Sequence, residues 1–65
     1  MYYEDYIIPN RHHDAAKAYL QGRKMKFEIS EAGSHICCVS VYDATQEDIA
    51  EITFYLLTHC NAYTM

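Results

Sequence analysis

Sixty-five residues, 51% of them hydrophobic, with two glycines, one proline and no internal repeat, describe one globular domain spanning residues 1 to 65 and exclude a disordered or low-complexity chain. No apolar run approaches the ~18 residues of a membrane span, and the acidic start MYYEDYIIPN lacks the basic lead and apolar centre of a signal peptide, which points to a cytoplasmic protein. The net charge of −4 is unevenly spread, because all five cations, Arg11, Lys17, Arg23, Lys24 and Lys26, precede residue 27 and the six carboxylates beyond it have no cation in their half.

Tyr2 to Ile8, rich in tyrosine and isoleucine with both faces mixed, reads as an edge strand that Pro9 ends. Asn10 is a good N-cap for a helix running to about Gln21, with Gly22 as its stop, and His12, Ala15, Ala16 and Tyr19 share one face of it. Strict alternation from Lys24 to Ser30 places Met25, Phe27 and Ile29 on one side of a second strand. Glu31-Ala32-Gly33-Ser34 is a hairpin-length connection to a third strand, His35 to Tyr42, which is apolar on both faces and so belongs in the middle of a sheet. Thr45 to Cys60 is the second helix. Thr45 can cap it together with Asp48, Glu47 and Asp48 suit the positive end of its dipole, and Asn61 is a left-handed stop before a short tail. Its apolar arc, centred on Ile52 and Leu56 and reaching Ala50, Phe54 and Leu57, spans roughly 200°, which is wide for a helix on one small sheet.

The order β-α-β-β-α gives an α+β fold, with a three-stranded antiparallel sheet of order 1-3-2 and both helices on one face. This is a ferredoxin-like arrangement truncated before its last strand. It leaves Tyr2 to Ile8 with an unpaired edge, open to strand addition in a homodimer or with a target protein.

Three cysteines, two of them adjacent, are not a disulfide framework and suit a reducing compartment. Seven residues have metal-binding side chains, yet no C-x-x-C or H-x-x-x-H spacing occurs. A helix folding back along the third strand brings His59 and Cys60 towards His35 and Cys37, the one candidate metal or thiol site; cysteines as core filler are the simpler explanation. No cofactor is implied. A nucleophilic thiol would further need oxyanion donors and a pocket, for which the sequence has no signal, so the chain does not read as an enzyme.

Tyrosine is the compositional anomaly, seven residues against no tryptophan, and tyrosine is favoured at interfaces. A sheet carrying exposed rings could stack bases, but a pI near 5.3 weighs against direct nucleic-acid binding. The acidic ridge of the second helix, Glu47, Asp48 and Glu51, with Asp43 and the tyrosines Tyr2, Tyr6 and Tyr42, forms the expected partner-binding surface, aimed at a host protein with a basic groove. A tiny, acidic, tyrosine-rich domain without a catalytic signature is similar in character to many phage-encoded inhibitors, including anti-CRISPR proteins. That resemblance implies a protein that works by occupying a surface, and the acidic ridge makes the expected role that of an inhibitory nucleic-acid mimic. Two alternatives stand beside it: a small dimeric structural or regulatory subunit joined through Tyr2 to Ile8, and a metal-binding or thiol-active domain on His35, Cys37, His59 and Cys60.

Overall fold

The computed structural model describes residues 1–64. Strand β1 (Tyr2–Pro9) leads through a 3-10 turn (Asn10–His12) into helix α1 (His13–Gly22); β2 (Lys26–Glu31) and β3 (Ile36–Ala44) form a hairpin; helix α2 (Gln46–His59) follows, and β4 (Tyr63–Thr64) closes the chain. The sheet order is β2-β3-β1-β4, with every neighbouring pair antiparallel. The order 1-3-2 and the two helices are those expected from the sequence. The addition is β4: Tyr63 pairs with Ile7 and Thr64 with Tyr6, so part of the supposed tail supplies the last strand of the ferredoxin-like topology. A two-residue strand carries no periodicity to read. Its main chain finds β1 because α2 ends beside it.

Local chemistry fixes the helix ends. Thr45 and Asp48 form a reciprocal capping box, with the Asp48 N–H donating to Thr45 Oγ1 at 3.1 Å and the Thr45 N–H donating to Asp48 Oδ2 at 3.2 Å. Asn61 stops α2 in the left-handed region at φ 50°, as expected. Helix α1 departs from expectation at both ends. Asn10 does not cap it; its N–H donates to the His35 carbonyl at 2.9 Å and the residue opens the 3-10 turn. That tighter turn delays the α-helix to His13 and rotates its buried face to Ala16 and Leu20, leaving Ala15 exposed. Gly22 is not the left-handed stop either. Lys24 takes that conformation at φ 59°, with Met25 N–H on Leu20 and Lys24 N–H on Gln21 completing the reverse turn.

One cluster forms the core. Tyr6 and Ile8 of β1, Cys37, Val39 and Val41 of β3, Ala16 and Leu20 of α1, and Ile52, Leu56 and Cys60 of α2 are buried together. Alternation in β3 sends Cys37, Val39 and Val41 to the helices and Ile36, Cys38, Ser40 and Tyr42 to the open face. A bulge then shifts the register, since Tyr2 lies opposite Ala44 while Glu4 lies opposite Val41. Asp43 absorbs the extra residue at φ 53°, a conformation that aspartate tolerates, and this lets Ala44 return to the core. Each fully buried leucine or isoleucine here contributes about 1.5–3 kcal/mol of burial free energy.

Candidate functional site

The expected partner-binding residues fall into three environments. Tyr2 and Tyr42 remain accessible at the surface, Tyr2 as an exposed residue and Tyr42 half-buried on the open sheet face. Tyr6 does not: it is completely buried, its hydroxyl shares a 2.7 Å hydrogen bond with Thr53 on α2, and burial pushes its phenol pKa up. Its β position faces the helices, so it is a core residue and not a contact. Tyr2 and Glu4 share its side of the strand, so the alternation gave no signal that separated Tyr6 from them.

The acidic ridge is also partly spoken for. Arg23, at the end of α1, reaches across to α2 and donates through Nη2 to Asp48 at 3.2 Å and through Nη1 to Glu51 at 2.8 Å. Its guanidinium lies 5.8 Å from the Tyr19 ring centre, and Tyr19 stacks on Tyr55 at 3.8 Å with the rings parallel, so a single clasp joins the two helices. The Asp48 carboxyl is held below its ordinary value, first by the Thr45 cap bonds and then by Arg23. Asp43 pairs with Lys26 at 3.1 Å. Of the four expected carboxylates, only Glu47 has no cation beside it among the described residues.

Three-dimensional placement gives the charge pattern a different shape. Arg11, Lys17, Arg23, Lys24 and Lys26 all belong to the 3-10 turn, α1, β2 and the turn between them. Strands β1, β3 and β4 and helix α2 contain no lysine or arginine. These elements lie together, since α2 packs on β1 and β3 while α1 packs on β2. Once the clasp and the Lys26 pair are counted, the carboxylates left uncompensated on this side are Glu4, Asp5 and Glu47. Glu4 and Asp5 had not been singled out by sequence, because their own strand read as mixed on both faces.

The same side carries the exposed apolar surface. Tyr2 (52%), Tyr3 (56%), Phe54 (71%), Leu57 (47%) and Tyr63 (56%) are the large hydrophobic side chains most exposed beyond Met1. On α2, Asp48, Glu51 and Tyr55 face α1, and Thr53 meets β1, so Ala50, Phe54 and Leu57 lie on the flank turned away from α1. The width of the α2 arc thus has a plain meaning: one half is core and the other half is surface. On the open sheet face Tyr3 packs against Tyr42 with ring centres 5.1 Å apart. Ser40 donates to Asp5 at 2.6 Å, and Tyr42 donates to Glu28 at 2.9 Å. The Asp5 carboxyl is held low by Ser40 and then Tyr3, which keeps it ionised.

Beyond Tyr6 and Ile7, which β4 covers, residues 2–5 of β1 have no strand on their outer side among the described residues. The unpaired edge expected for Tyr2 to Ile8 is therefore shortened to its first half.

The metal and thiol candidates do not converge. Among the described residues no group of three or more His, Cys, Asp or Glu side chains is placed to hold a metal ion. His35 is exposed in the hairpin, His59 packs against the Tyr55 ring at 4.6 Å, and Cys37 and Cys60 are buried. Burial pushes both thiols up, away from the thiolate that metal binding or attack requires. A cleft of about 390 Å³ between α1 and the hairpin is lined by Arg11, His13, Glu31 and Cys37 among others, with His13 paired to the exposed Asp14 at 3.0 Å. Its lining sets the Arg11 guanidinium against the Asp14 and Glu31 carboxylates, so it selects neither sign of ligand. No helix of the described chain is long and apolar enough to cross a membrane. Comparison of the chain with protein-family models, curated proteins and solved structures gives no match.

Proposed function

We propose that this protein is a small, acidic, non-enzymatic binding protein that occupies a basic, nucleic-acid-binding surface of a host protein in the cytoplasm, as a phage- or mobile-element-type inhibitor of the anti-CRISPR kind would. The observation that carries the reading is the set of elements β1, β3, β4 and α2, which contain no lysine or arginine, leave Glu4, Asp5 and Glu47 without a cation, and expose Tyr2, Tyr3 and Phe54. Carboxylates flanked by exposed aromatic rings suit lysine and arginine side chains, through charge and through cation–π contact. The contact surface moves from the α2 ridge with Asp43, Tyr2, Tyr6 and Tyr42 to the side of the molecule that α2 shares with β1. Affinity capture from host lysate with the unaltered chain and with the Glu4→Lys/Glu47→Lys variant tests it. The unaltered chain should retain a partner that duplex DNA or RNA displaces, and the variant should lose it. Equal retention by both would remove the acidic surface from the function.

A second reading, a homodimer through the β1 edge, is favoured by residues 2–5 of β1, which have no strand on their outer side among the described residues, and by the small core of so short a chain. Light scattering at micromolar concentration separates it from the first.

A further inference from the structure

We infer that the cleft between the start of α1 and the β2–β3 hairpin binds a small zwitterion of the apolar α-amino-acid class, its carboxylate on the Arg11 guanidinium and its ammonium on the Glu31 carboxylate. This site is separate from the acidic binding surface and does not rest on that reading. At about 390 Å³ the cleft falls at the lower end of the ~300–1,000 Å³ usual for small-molecule sites, which suits a ligand of amino-acid size. It stays open because α1 commits only Ala16 and Leu20 to the core. The stretch before them, residues 10–14, has no fully buried side chain to draw it onto the sheet. Between the two walls lie Ile29, half-buried, and Cys37, buried, which give the cleft an apolar floor.

The charges around the cleft define the ligand. On the helix wall the Asp14 carboxylate is hydrogen-bonded to His13 at 3.0 Å. Arg11 on that wall and Glu31 on the hairpin wall line the same cleft, yet among the described residues neither side chain has an ion pair or a hydrogen bond. They stand too far apart to pair directly, with the floor between them. A simple anion placed there meets the repulsion of Glu31, and a simple cation meets that of Arg11. A molecule carrying both charges answers both. The guanidinium takes a carboxylate through two parallel N–H donors, and the Glu31 oxygens accept from an ammonium, which has donors only. The Ile29 and Cys37 floor leaves an apolar place for the ligand's side chain.

The probe is L-leucine, titrated into the full, isotopically labelled chain and followed by amide chemical shifts. It is compared with N-acetyl-leucine, which lacks the ammonium, with leucinamide, which lacks the carboxylate, and with glycine, which lacks the apolar group. Leucine should give saturable shifts centred on residues 10–14, 29–31 and 37, with a Kd on the order of 1 mM for so small a ligand. N-acetyl-leucine and leucinamide should each bind about tenfold or more weakly, and glycine should also bind more weakly than leucine. Arg11→Gln and, separately, Glu31→Gln should each weaken leucine binding about tenfold with far-UV circular dichroism unchanged. The Glu4→Lys/Glu47→Lys variant, which disrupts the acidic surface, should bind leucine as the unaltered chain does. Equal binding of leucine and either blocked compound leaves one charge unread and overturns the zwitterion. Shifts that fail to saturate with any of the four compounds make the cleft a packing gap between helix and hairpin and overturn the site.

Discussion

At the β2 edge of the sheet, Lys26, Glu28 and Ser30 turn polar side chains outward, and Lys26 is pinned to Asp43. At the β1 edge, Tyr2 and Tyr3 are exposed and Glu4 and Asp5 have no cation beside them, and among the described residues β4 covers Tyr6 and Ile7. The first edge is polar along its length, and the second carries exposed rings beside uncompensated carboxylates. A chain this short has little core to spare, yet it leaves Phe54 71% exposed while burying Ile52 two residues earlier on the same helix. The difference teaches that the apolar arc of α2 is wider than the core uses, and on the proposed reading its exposed half serves binding.

That contrast breaks most visibly inside α2. Ile52→Ala should cost about 2–5 kcal/mol in urea unfolding, whereas Phe54→Ala should change stability by no more than about 0.5 kcal/mol. Comparable losses at the two positions would make the flank part of the core. Next in size is the effect of one added cation on each edge. Glu4→Lys should weaken binding of a basic peptide about tenfold or more, while Ser30→Lys on the β2 edge should leave it within about twofold. Equal effects from the two variants would reduce the edge contrast to net charge. The buried tie between β1 and α2 gives a smaller signal. Tyr6→Phe should lower stability by about 1 kcal/mol through the lost bond to Thr53, seen as a lower urea midpoint at unchanged slope.

The smallest expected effect is acid sensitivity, and it marks the two regions separately. Asp5 at the β1 edge and Asp48 at the α1–α2 clasp are both held below the ordinary 3.8 in the native state. The unfolded chain therefore takes up protons first as pH falls. The stability these groups contribute is complete above 3.8 and drains away as pH falls from there through their lower native values. Asp48→Asn and Asp5→Asn should each flatten the acid limb of a urea-midpoint curve. A limb unchanged in both would show that neither carboxylate is preferentially stabilised by folding.

Much of the architecture was legible because it depends on local signals. Thr45 with Asp48, Asn61, and the alternation of Met25, Phe27 and Ile29 each specify their element within a few residues. The central position of β3 followed from its two apolar faces. What was hidden depends on distant partners. Arg23 neutralises carboxylates 25 and 28 positions away, which no window on the sequence contains, and so the ridge looked more acidic than it is. Tyr6 was indistinguishable by type from Tyr2 until Thr53 met its hydroxyl. The bulge at Asp43 turned Ala44, beyond the expected end of the third strand, into the core, and a two-residue β4 offers nothing to detect.

One detail at the end of α1 bears on how far this sequence sits from its own stability optimum. The residue best suited to the left-handed turn, Gly22, occupies the last position of the helix proper, with open space where a methyl group would go, and Lys24 adopts the turn conformation two residues later. Conformational freedom and conformational strain are thus exchanged between neighbours. Gly22→Ala should gain about 0.5–1 kcal/mol from reduced freedom of the unfolded chain, and Lys24→Gly should relieve the left-handed backbone. Natural chains hold such unused reserves when selection asks only for a threshold. Here the reserve lies in the turn between α1 and β2, outside β1, β3, β4 and α2, where it can be drawn on to offset substitutions that probe binding.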